Sequence, residues 1–395
     1  MPALAVPRAE TRAPAAERQV ALWLLACCAM VFLMVLIGGV TRLTESGLSI
    51  TEWQPVTGVI PPLSAAEWQA EFARYQAIPQ YRAIDAGMTL AEFKGIFFWE
   101  YLHRLWGRLI GVVFAVPFFY FLARRRIPAG FAPKLAGIFA LGALQGAVGW
   151  YMVASGLENR IEVSQYRLAL HLAMAVLIYA AMLWAALDLL GSPAHISLSA
   201  PGGGEGRGEV GGSRAAQAHL TLPSLRDGSP PLRPQGRRGC TAWLRAGASL
   251  ILLLVFVTMV AGSFVAGTRA GYLDNTFPLM EGRFVPPGYW HDAPWWRNFF
   301  ENLVAVQWDH RVLAETTVAA TIALWLASLR AALAPGVRLA FHLMAAMALL
   351  QLGLGVATLL LVVPLPVAVA HQGGALLLLT AALVVRHGLA RAPLV

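Results

Sequence analysis

Eight stretches of the chain are almost unbroken runs of apolar residues, at about 20–40, 96–122, 135–155, 168–190, 246–266, 303–329, 339–363 and 367–386. Runs of this length are what an α-helix needs to cross a hydrocarbon core of roughly 30 Å. They predict an all-α polytopic membrane protein with eight transmembrane helices. Between the first two runs lies a long polar loop, 41–95, in which 65–75 reads as a surface helix. Basic residues collect at one set of ends: Arg124, Arg125 and Arg126, then Arg330, Arg338, Arg386 and Arg391. By the positive-inside tendency these ends are cytoplasmic. Both termini are then inside, and the loops 41–95 and 267–300 are outside. The second of these is rich in Pro and aromatic residues, with Trp290, Trp295 and Trp296 suited to an interfacial belt.

The apolar runs repeat as a set of four. GGVTR ending at Arg42 answers VAGTR ending at Arg269. LHR with His103 answers DHR with His310, and ALQGAVG with Gln145 and Gly149 answers LLQLGLG with Gln351 and Gly355. His171 in RLALHLAMA answers His371 in VAVAHQGGA. An even number of spans per copy makes the repeat parallel, so the expected architecture is two tandem four-helix bundles. The expected division is a cytoplasmic tail 1–19, an N-terminal bundle 20–190, a linker 191–245, a C-terminal bundle 246–386 and a tail 387–395.

Composition agrees with this reading. Hydrophobic residues are 58% of the chain and charged residues 13%, which excludes an ordinary soluble domain. The net charge of +9 would point to nucleic acid in a soluble protein; here arginines at the ends of spans account for it. The segment 191–245 turns abruptly to Gly, Pro, Ser and Arg, the composition of a flexible cytoplasmic linker. His195 and His219 lie in it and receive no role, and deleting Gly202 to Arg238 is expected to leave activity intact. Cys27, Cys28 and Cys240 offer no pair for a disulfide framework or a zinc site.

Chemistry concentrates on the even-numbered spans. His103 and His171 in the first copy, and His310 and His371 in the second, each fall in the first turns of an inward-running span, at similar depth below the outer surface. Opposed imidazoles at one depth in a helical bundle are what bis-imidazole haem ligation requires. The residue one turn on from each is small, namely Gly107, Ala175, Ala314 and Ala375, leaving room for a flat macrocycle or for close helix packing. Glu100 shares a helix face with His103, whereas the matching residue before His310 is Gln307. An acid in one copy alone assigns chemistry to the first bundle and a permanent cofactor to the second; a buried Glu–His pair that joins helices is the plainer alternative. His342 has Ile138 at its counterpart and reads as a packing residue, and His291 is in a loop.

GGVTRLTESGLSITEWQPVTGVIPPL, FFWEYLHRLWGRLIG, AGTRAGYLDNTFPLM, QWDHR and the histidines at 171 and 371 together resemble the haem A synthase family of α-proteobacterial and mitochondrial type. The resemblance covers nearly everything outside the linker. It implies oxidation of the C8 methyl of haem O to a formyl group, giving haem A for cytochrome oxidase. It implies His310 and His371 as ligands of a resident haem b, His103 and His171 as ligands of the substrate haem O, and Glu100 as the catalytic carboxylate. Arg42, Arg104, Arg269 and Arg311 are the candidate partners of haem propionates. The cysteine pair found in the first external loop of some bacterial members is absent from 41–95, so no thiol redox step operates there. Expected partners are haem O synthase, cytochrome oxidase assembly factors, an electron acceptor or donor and further copies of the chain, in a bacterial inner membrane with the haem sites toward the periplasm. The same four histidines would also serve a di-haem electron-transfer protein of cytochrome b type, or a haem transporter or chaperone.

Overall fold

The computed structural model describes residues 13–54, 57–158, 161–191 and 235–391. Among these, ten α-helices make the architecture: α1 (Ala13–Leu43), α2 (Ala65–Gln76), α3 (Pro79–Ala83), α4 (Leu90–Ala123), α5 (Phe131–Glu158), α6 (Gln165–Leu190), α7 (Gln235–Thr268), α8 (Leu303–Ser328), α9 (Pro335–Leu360) and α10 (Leu365–Arg391). The described residues form no β-strand, only an isolated bridge between Met280 and Arg283. Seven of the helices, α1, α4, α5, α6, α7, α9 and α10, are long and apolar enough to cross a membrane. The remaining long helix, α8, has 26 residues and carries Asp309, His310, Arg311 and Glu315 in its first half. The protein is an all-helical polytopic membrane protein.

The long helices close into two circuits. In the first, α1 packs on α4, α4 on α5, α5 on α6 and α6 back on α1; α7, α8, α9 and α10 repeat that pattern. The circuits meet where α6 touches α7 and α10, and where α1 touches α10. One continuous apolar cluster runs through both, from Leu24 and Met182 to Ile251, Met344 and Leu376. Near the middle of the junction the hydroxyls of Tyr179 and Thr380, on equivalent helices, bond at 2.8 Å. Between helices in lipid such close packing and hydrogen bonds supply the adhesion, since lipid tails are as apolar as leucine.

Helix starts are set by caps. Ser64 and Glu67 form a reciprocal capping box at α2, and Thr89 and Glu92 form another at α4, so α4 begins before the apolar run that starts near 96. Phe72, Tyr75, Phe93 and Phe97 pack α2 against this extra length. The consequence is a fixed position for Glu100, one turn further along α4.

At the opposite end the structure departs from the sequence reading. Most of the expected linker lies outside the described residues, with His195 and His219, but from Gln235 onward it is the start of α7. The expected C-terminal tail is helical as far as Arg391. His387, 7% exposed, places Nε2 3.0 Å from Asp188 Oδ1 on α6, and Arg391 donates to the Asp188 carbonyl at 2.7 Å. A hydrophobicity pattern stops at the first cluster of polar residues, whereas a helix continues while such residues find partners.

Candidate functional site

His103, His171, His310 and His371 lie on α4, α6, α8 and α10, one on each of two helices per circuit. Each imidazole rests against a glycine of a neighbouring helix. A methyl group added at Gly38 would stand 3.5 Å from His103 Nε2, one at Gly149 3.0 Å from His171 Cε1, and ones at Gly262 and Gly355 2.9 Å from Cε1 of His310 and His371. The four glycines belong to α1, α5, α7 and α9, so the repeat extends to the seat of every ring. His103 and His171 lie close enough for a charge on one to act on the other, as do His310 and His371. All four are largely surrounded by protein and half-buried. Gly107, Ala175, Ala314 and Ala375 are likewise half-buried.

This donor set fits a haem. Among the described residues no group of three or more His, Cys, Asp or Glu side chains converges to hold a bare metal ion. A porphyrin brings its own equatorial nitrogens, so a pair of imidazoles suffices.

Glu100 is buried and every contact it makes leads to the first loop. Its Oε2 accepts from Ser49 Oγ at 2.7 Å and from the Ile50 N–H at 2.6 Å, while Oε1 pairs with Arg104 Nη2 at 2.6 Å. Arg104 also donates to the carbonyls of Ile50 (2.7 Å) and Glu52 (3.0 Å). Beyond it opens a cleft of about 440 Å³ between the loop, α2 and α4, lined by Arg74, Phe97, Tyr101 and Arg108.

The second circuit repeats the fastening with a neutral amide in the place of Glu100. Gln307, in the place of Glu100, donates from Nε2 to the Asp274 carbonyl at 2.8 Å. Arg311, in the place of Arg104, donates to the carbonyls of Asp274 (2.6 Å) and Thr276 (2.8 Å). Asp274 itself is a loop carboxylate held below its ordinary pKa: partial burial pushes it up, but the Thr276 hydroxyl and N–H, the Glu281 N–H and Arg311 outweigh that. Tyr289 donates to Asp309 at 2.7 Å, and buried Asn298 and Asn302 tie the loop to the start of α8.

The four arginines therefore divide into two pairs. Arg104 and Arg311 pin their own loops. Arg42 and Arg269 meet across the junction on Glu162: Arg42 Nη2 is 2.8 Å from one carboxylate oxygen, Arg269 Nε pairs with the other, and Arg269 also pairs with Glu45 at 2.7 Å. A further bond from Arg42 to the Ala266 carbonyl, 2.8 Å, fastens the first circuit to the end of α7. His342 accepts from Trp325 Nε1 at 2.9 Å, a contact within its own circuit, and His291 is exposed beside Asp292.

Two residues with no role assigned from the sequence stand beside the site. Gln145 and Gln351 reach His171 and His371 from the third helix of each circuit. Their recurrence in ALQGAVG and LLQLGLG was the visible signal; their target was not. Ser49, which holds Glu100, gave no signal of its own.

Fold and site together define a polytopic helical membrane protein with a repeated pair of interior histidines and a buried glutamate on the helix that carries the first of them. The family model described as cytochrome oxidase assembly protein matches residues 21–208 and 214–383. Among curated relatives, the chain is similar to the Heme A synthase of Nitrosospira multiformis, 48% identical over 377 residues and 95% of each chain. Similar proteins of the same name occur in Rhodospirillum centenum, 49% identical over 367 residues, with 93% of this chain and 87% of the relative covered, and in Paramagnetospirillum magneticum, 45% identical over 376 residues and 95% of each. The chain belongs to the cytochrome oxidase assembly protein family, among whose members are these haem A synthases.

Proposed function

We propose that this chain is a haem A synthase that oxidises the C8 methyl of haem O to a formyl group. The observation that carries the reading is the duplicated histidine pair with a buried carboxylate added to one copy only. His103 and His171 hold the substrate haem O; His310 and His371 hold a resident haem b. When bound, that haem supplies a site for electron transfer. The chain has eight spans, α8 being the one whose charged first half serves the second histidine pair, with both termini in the cytoplasm and the sites toward the periplasm of the bacterial inner membrane. Haem O synthase delivers the substrate, and oxidase assembly factors receive the product.

The side chains around the first pair have definable tasks. Oxidising the methyl carbon leaves electron-poor carbon next to the macrocycle, and a fixed carboxylate stabilises it best where water is sparse. Glu100, 2% exposed and three residues before His103, stands there. Arg104, Ser49 and the Ile50 N–H keep its oxygens from swinging away, so little reorganisation accompanies charge development. Arg42 and Arg269 take the haem propionates by exchange with Glu162, which already presents a carboxylate to both.

Pigment extraction with mass analysis of purified protein tests this. Wild-type protein is expected to contain haem b together with haem O or haem A, and Glu100→Gln to keep haem b while accumulating haem O. Normal haem A output from Glu100→Gln would remove the catalytic role.

A further inference from the structure

In each circuit one amide reads one histidine. Gln145 Nε2 lies 3.0 Å from the His171 carbonyl and 3.2 Å from its Nδ1, with Nε2 of the ring at 3.4 Å. Gln351 Nε2 lies 2.8 Å from the His371 carbonyl and 3.1 Å from its Nδ1. The amide oxygens of both glutamines are buried and have no hydrogen-bond partner. A buried amide oxygen left unpaired costs about 1–3 kcal/mol, and here the same cost recurs at equivalent places of an internal repeat. No glutamine side chain meets the opposing histidines: His103 rests on Gly38, and His310 rests on Gly262 with the Thr258 main-chain carbonyl beside its ring.

An imidazole that binds iron through Nε2 carries its proton on Nδ1 and needs an acceptor there. The acceptor fixes the tautomer and makes the ring a stronger donor to the metal. As placed, an amide nitrogen faces Nδ1 of each ring, and the His371 ring also has the Gln351 main-chain carbonyl beside it. Half a turn of the amide brings the unpartnered Oε1 to Nδ1 and supplies the tautomer that ligation requires, at the expense of the Nε2 bond to the histidine's own carbonyl, 3.0 Å at His171 and 2.8 Å at His371. The orphaned oxygens and the needs of a ligating ring are two halves of one hydrogen bond.

We infer that Gln145 and Gln351 are positioning residues whose side-chain carbonyls accept the Nδ1 proton of His171 and His371 and thereby set the electron donation of these ligands to iron. The inference rests on the haem reading above. It makes the two ligands of each haem unequal: a glutamine side chain meets the α6 and α10 imidazoles, and none meets those on α4 and α8.

The test uses full-length purified protein with its bound haem b, comparing wild type with Gln351→Leu, Gln351→Glu and Gln145→Leu. Redox titration and the low-spin electron paramagnetic resonance spectrum of the resident haem are read alongside haem content. A carboxylate at 351 is a stronger acceptor and lowers the midpoint potential; leucine accepts nothing and raises it. Gln351→Leu also weakens haem retention about 10- to 100-fold, measured by transfer to an excess of a haem-acceptor protein. Gln145→Leu leaves the resident haem's potential unchanged. Opposite shifts for Glu and Leu are the signature, since a residue that only fills space would move both variants the same way. Unchanged potentials in Gln351→Glu and Gln351→Leu, with haem retained, overturn the inference and leave the haem reading standing. A variant that does not fold is replaced by Gln351→Met, which has similar volume, no proton-accepting carbonyl and the same expected rise. Wild-type protein without a bis-histidine spectrum would instead sink the haem reading itself.

Discussion

The two circuits share helix order, histidines, glycine seats and amide partners, and they differ in how the loop is fastened over the histidine pair. In the first, the fastening is a buried charge: Glu100 gathers Ser49, the Ile50 N–H and Arg104. In the second, Gln307 reaches the Asp274 carbonyl, and Asn298, Asn302 and Tyr289 add neutral or loop-borne bonds. Gln307 and Arg311 together close the second loop, so closure does not call for a carboxylate in the place of Glu100. Burying one is costly unless it is fully paired, and the first circuit pairs both of its oxygens. On the function proposed above, the extra charge marks the circuit where charge is used.

The division of labour can be broken most decisively at the ligands. His310→Ala is expected to eliminate resident haem b and with it all turnover, whereas His103→Ala keeps haem b and loses only conversion of haem O. Pyridine haemochrome analysis of the two purified variants separates these outcomes, and loss of haem b from His103→Ala would invert the assignment. Exchange of the distinguishing pair comes next. Glu100→Gln is expected to cut turnover by about 10²-fold or more, the scale of a positioned acid or base. Gln307→Glu sets a carboxylate against the Asp274 carbonyl and costs about 1–3 kcal/mol of stability, seen as a lower Tm, with turnover nearly unchanged.

Smaller effects sharpen the comparison. Ser49→Ala removes one hydrogen bond to the carboxylate, about 1.5–3 kcal/mol for a charged acceptor, and is expected to slow haem A formation roughly tenfold without changing haem b content. Asn302→Ala deletes the N-cap of α8 and its bonds to the loop. It should cost about 1–2 kcal/mol in a thermal melt and leave the kinetics of the first circuit as they were. A kinetic defect in Asn302→Ala as large as that in Ser49→Ala would mean that the loops act as one lid rather than two.

Much of this was legible in the chain itself. Apolar run length gave the helices, and the recurrence of Arg42 with Arg269, His103 with His310 and His171 with His371 gave the repeat and the candidate site. Helix ends were less legible: α4 starts at Leu90 because Thr89 and Glu92 cap it, and α10 runs on to Arg391 because Asp188 receives His387 and Arg391. Periodicity records what each residue does to its own helix. It is silent about partners on other helices.

The sequence alone determined the class of protein, its internal duplication and the four histidines, because run length, repeat and residue type are all local properties. Only the tertiary structure decided that Arg42 and Arg269 share Glu162, that Glu100 is grasped by Ser49 and Arg104, and that Gln145 and Gln351 attend to His171 and His371. Those pairings depend on which faces of distant helices come together, and packing, not spacing along the chain, fixes that.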